Sequence, residues 1–206
     1  MRIDRTTAVI GGVALATLIA GTLWAVWPRQ DRFADCRSSR IAGGTAAIGG
    51  PFSLLDETGG TVTEAEVITG PTLIYFGYTY CPDVCPLDTA RNAEAVDLLA
   101  AQGKPVGNVF ISIDPARDTP AVMAEYTGYF SEDLVGLTGS SDQIAQAARA
   151  YRVLYQKQDG GPDDYLMAHS TFTYLMFPAI GFVEFFNRDD SAEAVADRVA
   201  CFIDAA

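Results

Sequence analysis

Histidine is almost missing from this chain. One residue in 206, His169, excludes any metal site that draws two imidazoles from a single subunit. Lysine occurs twice, at Lys104 and Lys157, and 14 basic side chains stand against 26 acidic ones, a net charge of −12. Binding to a phosphate backbone depends on clustered Lys and Arg, so nucleic-acid partners are excluded. Four cysteines are too few for a scaffold built from disulfides. Charged residues make up only 19% and hydrophobic residues 49%, which removes the disordered and low-complexity classes. No internal repeat is present. At about 100–200 residues per domain, the length fits one domain and an appendage.

The appendage is at the amino terminus. Ala8 to Trp27 is a run of 20 residues without a charge. At a helical rise of about 1.5 Å per residue it spans about 30 Å, the thickness of a bilayer's hydrocarbon core. Trp24 and Trp27 stand at its end, where interfacial aromatics belong. A cleaved signal peptide is the competing reading. Its apolar region should be about 7–15 residues, before a small-residue cleavage site. Ala25-Val26-Trp27 matches such a site poorly. Residues 1–27 are therefore expected to be a cytoplasmic stub and an uncleaved single-pass anchor. Only seven residues precede the run, which leaves no room for a mitochondrial transit peptide. The expectation is a bacterial inner-membrane protein with its carboxy-terminal domain in the periplasm. The first 27 residues carry Arg2, Arg5 and Asp4, so the exported remainder has a net charge of −13.

Residues 28–51 look like a tether. Gly44 and Gly49 have the spacing of a phosphate-binding loop, but Gly50-Pro51 follows where Lys-Ser or Lys-Thr is required, so a linker is the better reading. Residues 52–206 show a mixed α and β pattern. Phe52–Leu55 and Thr61–Thr63 flank a Gly59-Gly60 turn and suggest a hairpin. Thr72–Phe76 and Val109–Ile113 are apolar runs of buried-strand type. Pro86 to Ala101 reads as a helix closed by Gly103. Thr119-Pro120, Ser140 and Ser191 each open a further helix with a capping residue. Phe172–Phe177 and Phe182–Phe186 are aromatic-rich strands. The order predicts an α/β layer fold with helices on both faces of one sheet.

The informative segment is Gly77-Tyr78-Thr79-Tyr80-Cys81-Pro82-Asp83-Val84-Cys85-Pro86, between a buried strand and a helix. Each cysteine precedes a proline, which steers it away from helical geometry. Pro86 is then expected as the first helical residue and Cys85 as its cap. Both sulfurs lie near a helix amino terminus, where the partial positive charge stabilises thiolate. Two such thiolates suit a soft ion such as Cu(I), and they equally suit a reversible disulfide. An inert structural disulfide is the blander alternative.

At this loop the chain resembles the Sco/SenC family of copper chaperones for cytochrome c oxidase assembly. The family pattern Y/F-G-Y-T-x-C-P-D-V-C-P stands here as Tyr75 to Pro86. A second block, Ser112-Ile113-Asp114-Pro115-Ala116-Arg117-Asp118-Thr119-Pro120, matches S-x-D-P-x-R-D-T-P, and His169-Ser170-Thr171 before a strand is the third. The resemblance implies a thioredoxin-like domain, a central mixed sheet flanked by helices, behind the single transmembrane helix. It implies copper, Cu(I) or Cu(II), one per chain, held by Cys81, Cys85 and His169. The implied partner is the dinuclear copper site of oxidase subunit II, with another periplasmic copper chaperone as donor. One departure stands out. The family's Asp-Pro-x-Gly turn is replaced by Phe177-Pro178-Ala179-Ile180-Gly181.

Other residues are read with two alternatives each. Asp114 either orients a ligand or partner or simply forms a turn with Pro115. Met123, Met167 and Met176 are candidate thioether ligands or, more simply, core. Tyr78 and Tyr80 cover the site or merely pack. Cys36 and Cys201 are expected to pair, since free thiols rarely persist in an oxidising compartment, with two unpaired cysteines as the alternative. Two functions follow. A metal carrier without turnover, not an enzyme, needs all three ligands. A thiol–disulfide oxidoreductase that reduces the partner's copper-site cysteines, or that acts in redox signalling, needs only Cys81 and Cys85. Nothing resembles a peroxidatic cysteine with its dedicated Arg and Thr.

Overall fold

The computed structural model describes residues 31–38, 48–161 and 164–206. The anchor expected at Ala8–Trp27 and most of the glycine-rich stretch after it lie outside the described residues, and among those described no helix is long and apolar enough to cross a membrane. Asp35–Ala206 form one compact unit.

Strands β1 (Ser53–Leu55) and β2 (Thr61–Thr63) pair as an antiparallel hairpin and lead into a single helical turn, α1 (Glu64–Val67). Strand β3 (Thr72–Gly77) follows, with all six residues buried. A continuous apolar run of this kind suits a strand covered on both faces. Helix α2 (Val84–Ala101) crosses to β4 (Gly107–Ser112), which pairs with β3 in parallel, Tyr75 opposite Phe110. Helix α3 (Pro120–Phe130) leads to β5 (Leu134–Leu137), again parallel, and α4 (Ser141–Ala150) follows. A separate two-stranded ribbon comes next, β6 (Tyr155–Lys157) with β7 (Met167–His169). Strands β8 (Thr173–Phe177) and β9 (Gly181–Phe186) then complete the main sheet before helix α5 (Ala192–Ala205). The sheet order is β5-β4-β3-β8-β9, so β3 is central, parallel to β4 and antiparallel to β8.

Alternation along β3 sorts the layers. Tyr75 lies beside Phe110 and near Cys85 and Asp88 of α2, while Phe110 meets Tyr126 of α3 at a tilt, 4.9 Å between ring centres. Phe76 points the other way and meets Tyr151, the residue after α4, at 5.3 Å. Helices therefore cover both faces, and α5 packs along α2. The caps expected at Thr119, Ser140 and Ser191 all form: each side-chain oxygen accepts a backbone N–H of the first turn. The departure at 177–181 is a tight β8–β9 connection, with Ala179 and Gly181 at positive φ.

Part of the tether belongs to this unit. Cys36 is disulfide-bonded to Cys201 of α5. The Arg37 guanidinium donates to the Val183 carbonyl at 2.6 Å, and the Ser38 N–H donates to Glu184 at 2.9 Å. Gly49 N–H donates to the Ala150 carbonyl. Packing thus begins before Phe52, because β9 is an edge strand and its flank gains partners when covered.

Candidate metal and thiol centre

The site is built where β3 ends. Gly77 has no room for a side chain: a Cβ there would lie 2.8 Å from Tyr75 and 2.9 Å from Phe110. The chain then turns through Tyr78–Tyr80, and helix α2 starts at Val84, with Asp83 in the capping position. This differs from the sequence expectation, which put Cys85 at the cap. Cys85 and Pro86 both sit in the first helical turn. A proline is tolerated there because first-turn N–H groups have no intrahelical acceptor. The Asp83 side chain makes no capping hydrogen bond. The sulfur of Cys81 takes that role instead, accepting the Cys85 N–H at 3.3 Å.

The two cysteines differ sharply. Cys85 is fully buried, and Cys81 is half-buried. The Cys81 thiol is pulled down to about 3, first by the hydrogen bond from the Cys85 side chain, then by His169 and the backbone N–H groups of Cys85 and Asp83. The Cys85 thiol is pushed up by sharing its proton with Cys81 and by burial. The pair therefore holds one proton, with the thiolate on Cys81.

His169 ends β7 and reaches the same place from 84 residues further along. Its Nε2 lies 3.4 Å from the Cys85 sulfur. Its Nδ1 lies 2.8 Å from the Ser170 carbonyl. A carbonyl only accepts, so Nδ1 carries a proton and Nε2 presents its lone pair to the Cys85 thiol. Tyr75 and Tyr78 both meet the imidazole edge-on, at 6.2 and 6.0 Å between ring centres. Among the described residues no group of three or more His, Cys, Asp or Glu side chains forms a ready metal cage. The donors nonetheless fit a soft ion. Two sulfurs and one imidazole are the ligand types Cu(I) prefers. A sulfur and a nitrogen on one tetrahedral ion lie about 3.5 Å apart, close to the separation seen here.

Sequence reasoning missed the frame around these donors. Asp118 is fully buried and accepts from the Thr79 hydroxyl at 2.6 Å, the Thr79 N–H at 3.2 Å and the Ser112 hydroxyl at 2.6 Å, which pins the cysteine loop to the end of β4. Burial holds the Asp118 carboxyl above its ordinary range. Asp114 turns to partners other than the ligands. It accepts from Arg117 and from the Tyr165 hydroxyl at 2.6 and 2.7 Å. The signal was present in the Asp-Pro-x-Arg-Asp-Thr-Pro block, but its partners were not. Behind Cys85, the buried Asp88 faces Arg91 at 3.8 Å, and burial pushes its carboxyl up. The Tyr75 hydroxyl lies near Asp88 and Cys85 without a well-formed hydrogen bond to either. Of the methionines, Met167 adjoins the site on β7. Met123 is core near Gly136, and Met176 pairs with Thr72 at the far end of β3. Tyr78 is buried, and Tyr80 is exposed.

A mixed sheet covered on both faces, with a cysteine pair between the central strand and its helix, is a thioredoxin-like α/β architecture. The SCO1/SenC family model matches residues 41–204. The protein SenC of Rhodobacter capsulatus is 50% identical over 208 residues, covering 100% of this chain and 94% of the relative. The crystal structure of Arabidopsis thaliana ScoI with copper bound superposes with a TM-score of 0.73 at 42% identity, over 77% of this chain and 99% of that one. Bradyrhizobium japonicum ScoI with copper bound gives 0.68 at 41%, over 75% and 98%. The chain belongs to the SCO1/SenC family.

Proposed function

We propose that this protein is a copper carrier, held in the bacterial inner membrane by residues 8–27, which binds one copper through Cys81, Cys85 and His169. It passes that copper to the dinuclear site of cytochrome c oxidase subunit II. The observation that carries the reading is the 3.4 Å approach of His169 Nε2 to the Cys85 sulfur, beside the Cys81 thiolate. Two relatives above 40% identity whose solved structures hold copper support it.

Copper is cargo here. Cys81 already offers a thiolate, and the Ser170 carbonyl keeps the Nε2 lone pair free. Cys85 gives up its proton when the ion enters, so loading releases a proton. The half-buried Cys81 is the sulfur an acceptor's thiolate reaches first. The anchor keeps carrier and membrane-bound acceptor at high effective concentration, so a weak contact suffices.

Titrating the reduced protein with copper tests this. The expected result is about one ion per chain, with sulfur-to-copper charge transfer for Cu(II), both lost in Cys81→Ser, Cys85→Ser and His169→Ala. Full binding by all three variants overturns the ligand assignment.

A second reading is favoured by the asymmetry of the cysteines. A half-exposed thiolate beside a buried thiol is the arrangement of a dithiol reductant. Cys81 would attack a partner's disulfide and Cys85 would resolve the mixed disulfide, leaving Cys81–Cys85 oxidised and the partner reduced. A His169→Ala variant that loses copper but keeps disulfide exchange separates the two activities.

A further inference from the structure

The ribbon that carries His169 is thinly supported. It has three residue pairs and forms its own sheet, apart from the five-stranded one. A two-stranded ribbon alone is marginal in water. Leu154 and Leu166, which flank it, are exposed. Tyr155 and Met167 pack its inner side on the core, and Tyr75 and Tyr78 flank the imidazole, but the connection between the two strands needs contacts from elsewhere.

Loop 113–119 supplies them. On one side, Asp118 grips Thr79 of the cysteine loop. On the other, Arg117 Nε donates to Asp114 at 2.6 Å with both side chains nearly buried, and Asp114 accepts from the Tyr165 hydroxyl at 2.7 Å. The Arg117 guanidinium lies 3.6 Å from the centre of the Tyr165 ring, on the connection into β7, and 4.6 Å from that of Tyr80, in the cysteine loop. One planar cation thus sits between the two segments that hold the proposed ligands. A planar guanidinium stacks on such rings in a way an ammonium cannot.

We propose that Arg117, fixed by Asp114 and clamped between Tyr80 and Tyr165, is a positioning residue that sets how far His169 stands from the two cysteine sulfurs. The inference rests on the copper reading of the site for its consequence, but not for its geometry. A purely structural ion pair would support the whole fold evenly. A positioning residue acts on the ribbon and, through it, on one ligand.

Two variants separate these. Tyr165→Leu removes the ring and hydroxyl, and with the ring the contact of the Lys157 ammonium at 3.5 Å, while leaving the Arg117–Asp114 pair, so no buried charge loses its partner. Tyr165→Phe keeps the stacking and should restore most of the behaviour. In the metal-free full-length protein, Tyr165→Leu should speed hydrogen exchange across residues 154–170 several-fold and leave residues 72–77 unchanged. Cu(I) affinity should fall about 10–100-fold, the usual consequence of losing a group that orients a ligand. Unchanged exchange in 154–170, or a Cu(I) affinity equal to that of the wild type, overturns the proposal. If the wild type takes up no copper, the carrier reading fails, and the exchange experiment, with Arg117→Met beside Lys157→Met to tell the two cations on the Tyr165 ring apart, still decides whether Arg117 holds the ribbon through that ring.

Discussion

Replacing Gly77 with alanine should destabilise the domain and disturb the site together. A Cβ at this position would stand 2.8 Å from Tyr75 Cε1 and 2.9 Å from Phe110 Cζ. Carbon atoms prefer about 3.5–4.0 Å, so the two rings must give way by about 0.6 Å or more. Neither has space: both rings are almost completely buried in the centre of the sheet. Overpacking of this kind costs about 1–3 kcal/mol. For a domain of this size that is a Tm lower by roughly 3–10 °C. Thermal unfolding followed by near-ultraviolet circular dichroism reads both the loss and the disturbance of the tyrosines. Because Tyr75 also packs against His169 at 6.2 Å, copper affinity should fall in the same variant. Trimming the neighbour in Gly77→Ala/Phe110→Leu should recover part of the stability, since the new methyl then has somewhere to go. A Tm within about 1 °C of wild type would refute the packing argument, because a close contact with two immobile rings must register above that.

The Cys81 thiol should react with iodoacetamide at a rate nearly independent of pH from neutral down to mildly acidic conditions, because its folded value is about 3 against 9.0 for the unfolded residue. A rate falling steadily below pH 8 would show an ordinary thiol. With the folded value below the unfolded one, the Cys81 contribution to stability is present above 9.0 and is lost as pH drops through about 3. The raised Cys85 thiol works the opposite way, its contribution fading as pH climbs above the unfolded value, so stability should decline at both ends. The Cys36–Cys201 bridge closes a span of 165 residues, for which chain entropy gives about 5 kcal/mol in the simplest model. Cys36→Ser/Cys201→Ser should therefore lower stability in urea by about 2–5 kcal/mol. A denaturation midpoint unchanged from wild type would remove the bridge from the stability of the fold.

Much of this protein was legible in its sequence because the signals were local. The apolar runs of β3 and β4, the caps at Thr119, Ser140 and Ser191, and the two cysteines at the strand–helix junction each depend on residues within a few positions. The net charge of −12 needs only a count along the whole chain, and it argues against a nucleic-acid partner. The donor types were readable too: two sulfurs four apart and a single imidazole leave few choices. What the sequence hid is non-local. The β6–β7 ribbon is three residues a side, Tyr-Gln-Lys against Met-Ala-His, too short and too mixed for its periodicity to register. The hold of Asp118 on Thr79 spans 39 residues, and that of Tyr165 on Asp114 spans 51. The start of α2 moved two residues earlier than expected because a cysteine sulfur, not a conventional cap, accepts the Cys85 N–H. Only the tertiary structure decided that His169 and Cys85 meet, since 84 residues of chain and the order of five strands lie between them. Residue chemistry sets which atoms suit a soft ion or a disulfide, and packing of the sheet and its loops sets whether those atoms come within reach of one another.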